Sequence, residues 1–325
     1  MEIPRRSFLS LAAAAAVSTA VQRTAFALDY PTRPVHIFNG FGGGSTPDLV
    51  SRLIGQWLSD RLHQPFIVEN RVGAGGNVAA EAVAKAAPDG YTLLTCVTAD
   101  AINTSLYKKL DFDFIKDFAP VAGVIELPMV LLVNPAFPAT TLSGFIAYAK
   151  ANPGKINFAS PGVGTPMHVA IELLKMQAGI DVVHVPYRGP APAMTDLMAG
   201  QVQAFIITLS TAISLVRAGK LRALAVTGTA RSEILPDVPS VSEVLPGFAA
   251  TAWDGACAPK GTPDAVIKIL SDNITAGLAD REFKARIKDL GGETVPMDSG
   301  EFSKFVVAEA AKWAKVVKYA NIKAD

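Results

Sequence analysis

The chain has 325 residues, half of them hydrophobic and 18% charged, with a formal net charge of +1. That composition supplies one large core or two medium ones. No run of like charge stands out, which argues against a nucleic-acid surface, since that needs clustered Lys and Arg.

Residues 1–27, MEIPRRSFLSLAAAAAVSTAVQRTAFA, have a charged start, an apolar middle and an Ala-Phe-Ala end. That pattern predicts an export signal with the mature chain starting at Leu28. The apolar middle is shorter than the ~20 residues a membrane-spanning helix needs. Arg5 and Arg6 before Ser-Phe-Leu match a twin-arginine leader. No later segment reads as a spanning helix, and no Cys follows the cleavage site to carry a lipid.

Beyond the leader, apolar runs alternate with helical patterns. Strands are expected at Val35–Phe38, Phe66–Val68, Tyr91–Val97, Met129–Val133, Ile156–Ala159, Val182–Val185, Val202–Ile207 and Ala223–Thr227. Helices are expected at Pro47–Leu62, Val78–Ala86, Leu142–Ala151, Pro166–Ala178 and Ala191–Ala199. Runs such as MVLLV are apolar on both faces, as parallel strands covered by helices are. The alternation predicts βαβ units and an α/β fold with mostly parallel sheets flanked by helices. The last seventy or so residues differ: WDGACAP reads as a strand, then come helices at Pro263–Leu278, Arg281–Leu290 and Gly300–Tyr319, with a short GETVP strand between the last two.

Two stretches look like crossings between domains, Glu126-Leu127-Pro128 and Leu245–Trp253. They delimit a middle block, 127–251, of typical domain size. Residues 28–126 and 252–325 would then form the other lobe jointly, and a chain that crosses twice makes a two-strand hinge suited to closure on a ligand. Cys96 and Cys257 both sit in apolar strand-like runs and are expected as buried free thiols.

The loop GFGGGSTPD, Gly40–Asp48, follows a strand and opens a helix. It lacks the Lys of a phosphate loop. It also fails the dinucleotide pattern, because the third glycine position is Ser45 or Pro47, and the Gly73–Gly76 run fails in the same way at Val78. What remains is a helix start with free N–H groups, glycines without side chains in the way, and about half a positive charge. Ser45 or Thr46 can cap it and Pro47 suits the first turn. A carboxylate fits such a place without any charged side chain. The middle block repeats the arrangement in ASPGVGTPMH, Ala159–His168, and two facing loops of this kind would clamp a small acid.

No Gly-x-Ser-x-Gly elbow is present, and no histidine pair has a metal-ligating spacing. His36 and His184 lie in apolar strands as hydrogen-bonded core residues would. His63 ends a helix, and His168 falls in a first helical turn from which it can reach a ligand. An exported hydrolase of small acids would need a nucleophile beside a base, and no such set is evident. A ligand sensor without a transport partner is not separable from a transport receptor at this level.

The mature chain resembles the Bug-type periplasmic solute-binding proteins of tripartite tricarboxylate transporters. The resemblance is carried by YPTRPVHI, the loop with Phe41, Gly44 and Asp48, VENRVGAGGNVAAEAVAKAAPDGYTLL, NPGKINFASPGVGTPMH, HVPYRGPAPAMTDLMAGQVQ, GKLRALAVT and LPDVPSVSEVLPGF. It implies a two-lobed, Venus-flytrap-like α/β fold, a small organic carboxylate as ligand, membrane transporter subunits as partners, a monomer, no cofactor and no enzymatic activity. It also implies a ligand site at Phe41, Gly42, Gly43, Gly44, Ser45, Thr46 and Asp48 in the first lobe. In the second lobe it implies Ser160, Gly162, Val163, Gly164, Thr165 and His168. Thr98, Ala99, Asp100, Tyr187, Arg188, Gly189 and Thr208 would be walls. The first loop departs from the family pattern Pro-Phe-x-Pro-Gly-Gly-x-x-Asp: both prolines are absent and Ser45 replaces a glycine.

Overall fold

A computed structural model describes residues 29–324. The expected leader, residues 1–27, lies outside them. Eleven strands form two sheets among the described residues. The first sheet contains β1 (Val35–Asn39), β2 (Phe66–Asn70), β3 (Thr92–Val97), β4 (Phe118–Leu127), β10 (Ala252–Pro259) and β11 (Glu293–Met297), in the order β11-β4-β10-β3-β1-β2. The second contains β5 (Met129–Val133), β6 (Asn157–Ser160), β7 (Val183–Pro186), β8 (Ala204–Thr208) and β9 (Arg222–Val226), in the order β7-β6-β8-β5-β9.

Both sheets are mixed, which corrects the expectation of mostly parallel ones. β1 pairs in parallel with β2 and β3, and β6 with β7 and β8. β10 is antiparallel to β3 and β4, and β5 is antiparallel to β8 and β9. The reason is topological. β5 and β10 are the strands by which the chain arrives from the other sheet, so they start at the edge where the resident strands end. Apolar patterning on both faces of MVLLV reports that β5 is covered on both sides, not which way it runs.

The arriving strands begin together. The Thr227 amide donates to the Met129 carbonyl at 2.9 Å, and the Ala250 amide donates to the Thr227 carbonyl at 2.9 Å. The chain therefore passes into and out of the second sheet at one place, beside Pro128.

Helices cover both faces of each sheet. On one face of the first lie α1 (Thr46–Leu62) and α8 (Asp264–Ala279), burying Val50, Ile54, Leu58, Leu270 and Ile274. On the other lie α2 (Asn77–Ala84), α3 (Thr98–Leu106) and α10 (Ser299–Ala320), burying Val83, Ile102, Trp313 and Val316. The second sheet is covered by α4 (Leu142–Ala151) and α5 (Pro166–Ala178) on one side and by α6 (Pro190–Met198) and α7 (Leu209–Arg217) on the other. α9 (Arg281–Asp289) follows α8. Sequence reading missed α3 and α7. TADAINTSL and LSTAISLVR carry Thr, Ser and Asn, whose side chains compete for backbone groups and blur a helical pattern.

α10 belongs to both halves. Near its start Phe302 fills the space over Gly255, where any Cβ would collide with the ring. Its far end packs against α5 of the second sheet, and Tyr319, with Ile322 just past the helix, lines a groove shared with His184 and Ile180. Cys96 and Cys257 are buried free thiols, as expected. Burial, and then the neighbouring Cys257, pushes the Cys96 thiol far up.

Candidate functional site

Register places the carboxyl ends of β1, β2 and β3 on one edge of the first sheet, and those of β6, β7 and β8 on the edge of the second from which β5 departs. In open α/β sheets ligands bind at such edges. Both glycine loops lie there.

In the first loop Ser45 caps α1, its Oγ accepting the Asp48 amide at 3.5 Å, with Pro47 in the first turn. Asp48 is buried and turned back into its own loop. It accepts the Gly44 amide at 2.8 Å, the Asn70 side chain at 2.9 Å and the Arg52 guanidinium at 2.9 Å. Burial opposes its ionisation, but these donors outweigh burial and hold its carboxyl below the ordinary value. The Gly44 amide is thus spent on Asp48, and Asp48 shapes the loop. Gly44 has φ +80°, which explains why glycine stands there. The Ser45 amide donates to Gly42. Among the described residues, the amides of Gly42, Gly43 and Thr46 have no partner.

Behind this loop lies the other glycine run. A Cβ at Gly40 would stand 2.5 Å from the Gly76 Cα, so two chains meet here with no room for a side chain. The Phe41 ring and the Asp100 carboxyl both lie close to Gly76, at 3.4 and 3.7 Å from where its Cβ would be. Asn103 donates to the Gly75 carbonyl and to Asn77. Asn39 Oδ1 and Asn77 Nδ2 are buried without partners. Sequence reading used the Gly73–Gly76 run to dismiss a nucleotide and as part of one motif that carries the resemblance. Its role as the backing of the first loop was visible, if at all, in the density of glycine.

Thr98, expected as a wall of the site, is engaged within the fold. Its hydroxyl accepts the Trp253 amide at 2.7 Å and is 3.3 Å from the Trp253 carbonyl, so it ties α3 to β10. Ala99 is half-buried beside it. Asp100 accepts the Val97 amide at 2.8 Å, and burial, only partly opposed by that bond, pushes its carboxyl up to about 7. Asp254, opposite Val97 on β10, is likewise raised to about 7 by burial and then by Asp100, and its Oδ2 has no partner.

The second loop repeats the logic of the first. Thr165 caps α5 with Pro166 at its start, its Oγ1 accepting the His168 amide at 3.3 Å and donating to the Gly162 carbonyl at 2.8 Å. His168 is buried, and its Nδ1 accepts the Gly164 amide at 3.1 Å. His168 therefore braces the loop. Ser160 is fully buried, with its Oγ 2.6 Å from His184 Nε2. That is a hydroxyl beside a base, yet the oxygen is sealed from solvent and bonded to Gly162, so it is no nucleophile. The amides of Val163 and Thr165 have no partner among the described residues.

The remaining walls divide. Tyr187 gives its hydroxyl to Asp196 at 2.7 Å, and Thr208 Oγ1 bonds Thr211 at 2.9 Å. Gly189, φ +108°, uses its amide on Pro161. Arg188 is exposed, and no hydrogen bond or ion pair holds it among the described residues. No hydrogen bond joins 41–48 to 160–168, and the halves touch instead where Gly164 meets Leu106 of α3 and where Gly291 meets Ser210 of α7. Among the described residues no group of three or more His, Cys, Asp or Glu gathers as a metal cage, and no helix is long and apolar enough to cross a membrane.

Comparison with known proteins accords with this geometry. The family model described as "Tripartite tricarboxylate transporter family receptor" matches residues 50–322. Protein BugT of Bordetella pertussis is 34% identical over 297 residues, covering 90% of this chain and 91% of BugT. The structure of Rpa4515 with adipate, from R. palustris, is 33% identical with a TM-score of 0.76, covering 90% of this chain and 99% of that one. MatC (Rpa3494) from Rhodopseudomonas palustris with bound malate is 34% identical with a TM-score of 0.72, covering 89% and 100%.

Proposed function

The chain belongs to the tripartite tricarboxylate transporter receptor family, a family of solute-binding proteins and not of enzymes, and from that premise we propose that it captures a small organic carboxylate between its two sheets. The observation that supports this most directly is the pair of helix starts, α1 and α5. Each has a Ser or Thr cap, a Pro in the first turn, a glycine loop and unpartnered amides, and each stands at the carboxyl edge of its sheet. Aligned peptide dipoles and free N–H groups favour an anion there. Adipate and malate, held by two relatives, are the first ligands to try.

The two lobes are 28–126 with 252–325, and 127–251, with α10 laid across both. The donors are the amides of Gly42, Gly43, Thr46, Val163 and Thr165, with Arg188 as an exposed cation and the Phe41 ring as an apolar wall. The protein acts in the periplasm as a monomer and delivers its solute to the membrane subunits of a tripartite tricarboxylate transporter. The route out is the twin-arginine pathway: Arg5→Lys with Arg6→Lys is expected to stop export, and normal periplasmic levels of that variant would refute the route. The receptor reading is tested by thermal shift over a panel of small carboxylates. A specific ligand at one hundred times its Kd adds about 2.7 kcal/mol of stability. A panel of mono-, di- and tricarboxylates that all leave Tm unmoved would count against it.

A further inference from the structure

His184, on β7, touches the second loop without belonging to it. Its Nε2 is 2.6 Å from Ser160 Oγ, and its ring stacks on His168 with centroids 3.7 Å apart and planes 12° from parallel. Ser160 Oγ is also 3.2 Å from both the amide and the carbonyl of Gly162. A hydroxyl has one hydrogen to give, so the Ser160 rotor and the His184 tautomer are set together. His168 in turn accepts the Gly164 amide at Nδ1, which an imidazolium cannot do. The two glycines that give the loop its turn, φ +150° at Gly162 and +75° at Gly164, are thus both held by imidazole chemistry.

We propose that His184 is a positioning residue for the second loop, acting through Ser160 and the stacked His168, so that the loop keeps its ligand-ready shape only while both imidazoles are uncharged. This rests on the reading of 160–165 as half of the solute site.

The surroundings give a proton little welcome. The groove shared by the two rings is lined by Glu172 and Lys175 of α5, Asp181 before β7, and Tyr319 and Lys323 at the end of the chain. Glu172 is 3.9 Å from His168 Nε2 but is already paired with Lys175 at 3.0 Å. Asp181 is exposed and Lys323 adds positive charge. A charge on either ring would face its stacked neighbour directly. Burial, reinforced for His168 by His184 and then Lys175, and for His184 by Lys175, depresses the two to about 3 and about 4. When the loop opens, each imidazole regains its ordinary value near 6.5, so opening takes up protons and acid favours it. At pH 5 that bias amounts to roughly thirtyfold per histidine fully released.

The test has two arms. Amide exchange at Gly162 and Gly164, corrected for the intrinsic rate, needs no ligand. Protection is expected to fall about tenfold or more between pH 7.5 and 5. Adipate and malate, with allowance for their own carboxyl protonation, are expected to bind more weakly at pH 5 than at pH 7.5, and the excess loss is expected to shrink in His184→Gln. His184→Gln retains an amide donor for Ser160 without titrating, so its pH profile is expected to become shallower, with only the His168 contribution left. His184→Phe retains the stack but loses the bond, so it is expected to loosen the loop already at pH 7.5. Protection that stays constant in the wild type, or a His184→Phe variant whose loop protection matches wild type, overturns the proposal. If neither acid binds, the carboxylate panel decides the solute reading, and the exchange arm alone decides the role of His184. Where a variant does not fold, the wild-type exchange profile decides.

Discussion

Gly164 of the second loop and Leu106 at the end of α3 press so closely that any Cβ on the glycine would strike the leucine side chain. The contact joins the two halves directly behind the second set of candidate donors. Gly164 also has φ +75°, where an L side chain costs roughly 1–2 kcal/mol. Gly164→Ala is therefore expected to lower stability by about 2–4 kcal/mol, strain and overpacking together. Adding Leu106→Ala removes the collision but not the strain, so the double variant is expected to lose less than the two single losses summed. Urea midpoints of the four proteins measure the coupling, and strict additivity would mean the contact carries no energy.

The division between spent and free amides makes a sharper test of how an acid is held. Gly42 and Gly43 have ordinary backbone angles, and a Cβ on Gly43 would come no nearer than 3.6 Å to the Asn70 side chain. Gly43→Val is expected to leave stability within about 1 kcal/mol while cutting affinity at least tenfold by covering the donors. Gly44→Val is expected to do the reverse in kind, costing stability first through its positive φ. Arg188→Ala is expected to weaken binding less than Gly43→Val. Calorimetric titration with a validated ligand ranks them. A Gly43→Val protein that binds normally, beside an Arg188→Ala protein that does not, would replace amide capture with a guanidinium clamp.

Asp100 and Asp254 set one side of the pH dependence. Their native carboxyls sit near 7 against an ordinary 3.8, so the folded state holds more protons than the unfolded one between those values. Stability from this source is full below about pH 4 and declines as pH rises to 7. His168 and His184 work oppositely: depressed bases cost stability as pH falls from 6.5 toward 4. Asp254→Asn is expected to stabilise the protein by about 1–3 kcal/mol at pH 7.5 and to change little at pH 4. Urea unfolding at several pH values checks this, and an Asp254→Asn protein that is weaker at pH 7.5 would mean the carboxylate has a partner in solution.

Glu309 is the polar hub of the junction. Its Oε2 accepts the indole N–H of Trp253 at 3.1 Å and of Trp313 at 2.9 Å, and its Oε1 pairs with Lys312, which also donates to the Ala249 carbonyl at 3.0 Å. Glu309→Ala strands two buried N–H groups and a half-buried ammonium and is expected to cost about 3–5 kcal/mol. Glu309→Gln retains an acceptor and is expected to cost less. Thermal and urea unfolding distinguish them. Equal losses would place the effect in packing and not in the hydrogen bonds.

Much of this was legible before the coordinates. Strands β1, β3, β5 and β8 stand out as apolar runs, and the caps of α1 and α5 read directly from Ser45-Thr46-Pro47 and Thr165-Pro166, because cap chemistry is local. What was hidden depends on partners far along the chain. The direction of β5 follows from where the chain has just been. Asp48, His168 and Thr98 stand out as polar groups beside glycine loops, but the neighbour each is bonded to, Gly44, Gly164 and Trp253, is named by no local pattern. Glu309 and Asp254 escaped for the same reason: one lies in an ordinary amphipathic helix, the other in a strand-like run.

The knot of hydrogen bonds at Thr227 has a consequence for how such a protein changes over generations. Met129 and Ala250 are both tied to that one residue, so the chain leaves the first sheet and returns to it within a single turn's width. To the first sheet, everything between is a cassette plugged in at one socket. Its length, helices and rim are free to vary provided the two ends still meet at Thr227, while the first sheet and α10 retain their packing. A chimera exchanging 129–250 with the equivalent block of a relative asks two things of its donor: ends that meet at the same spacing, and a surface that accepts Leu106, Gly291 and the tail of α10.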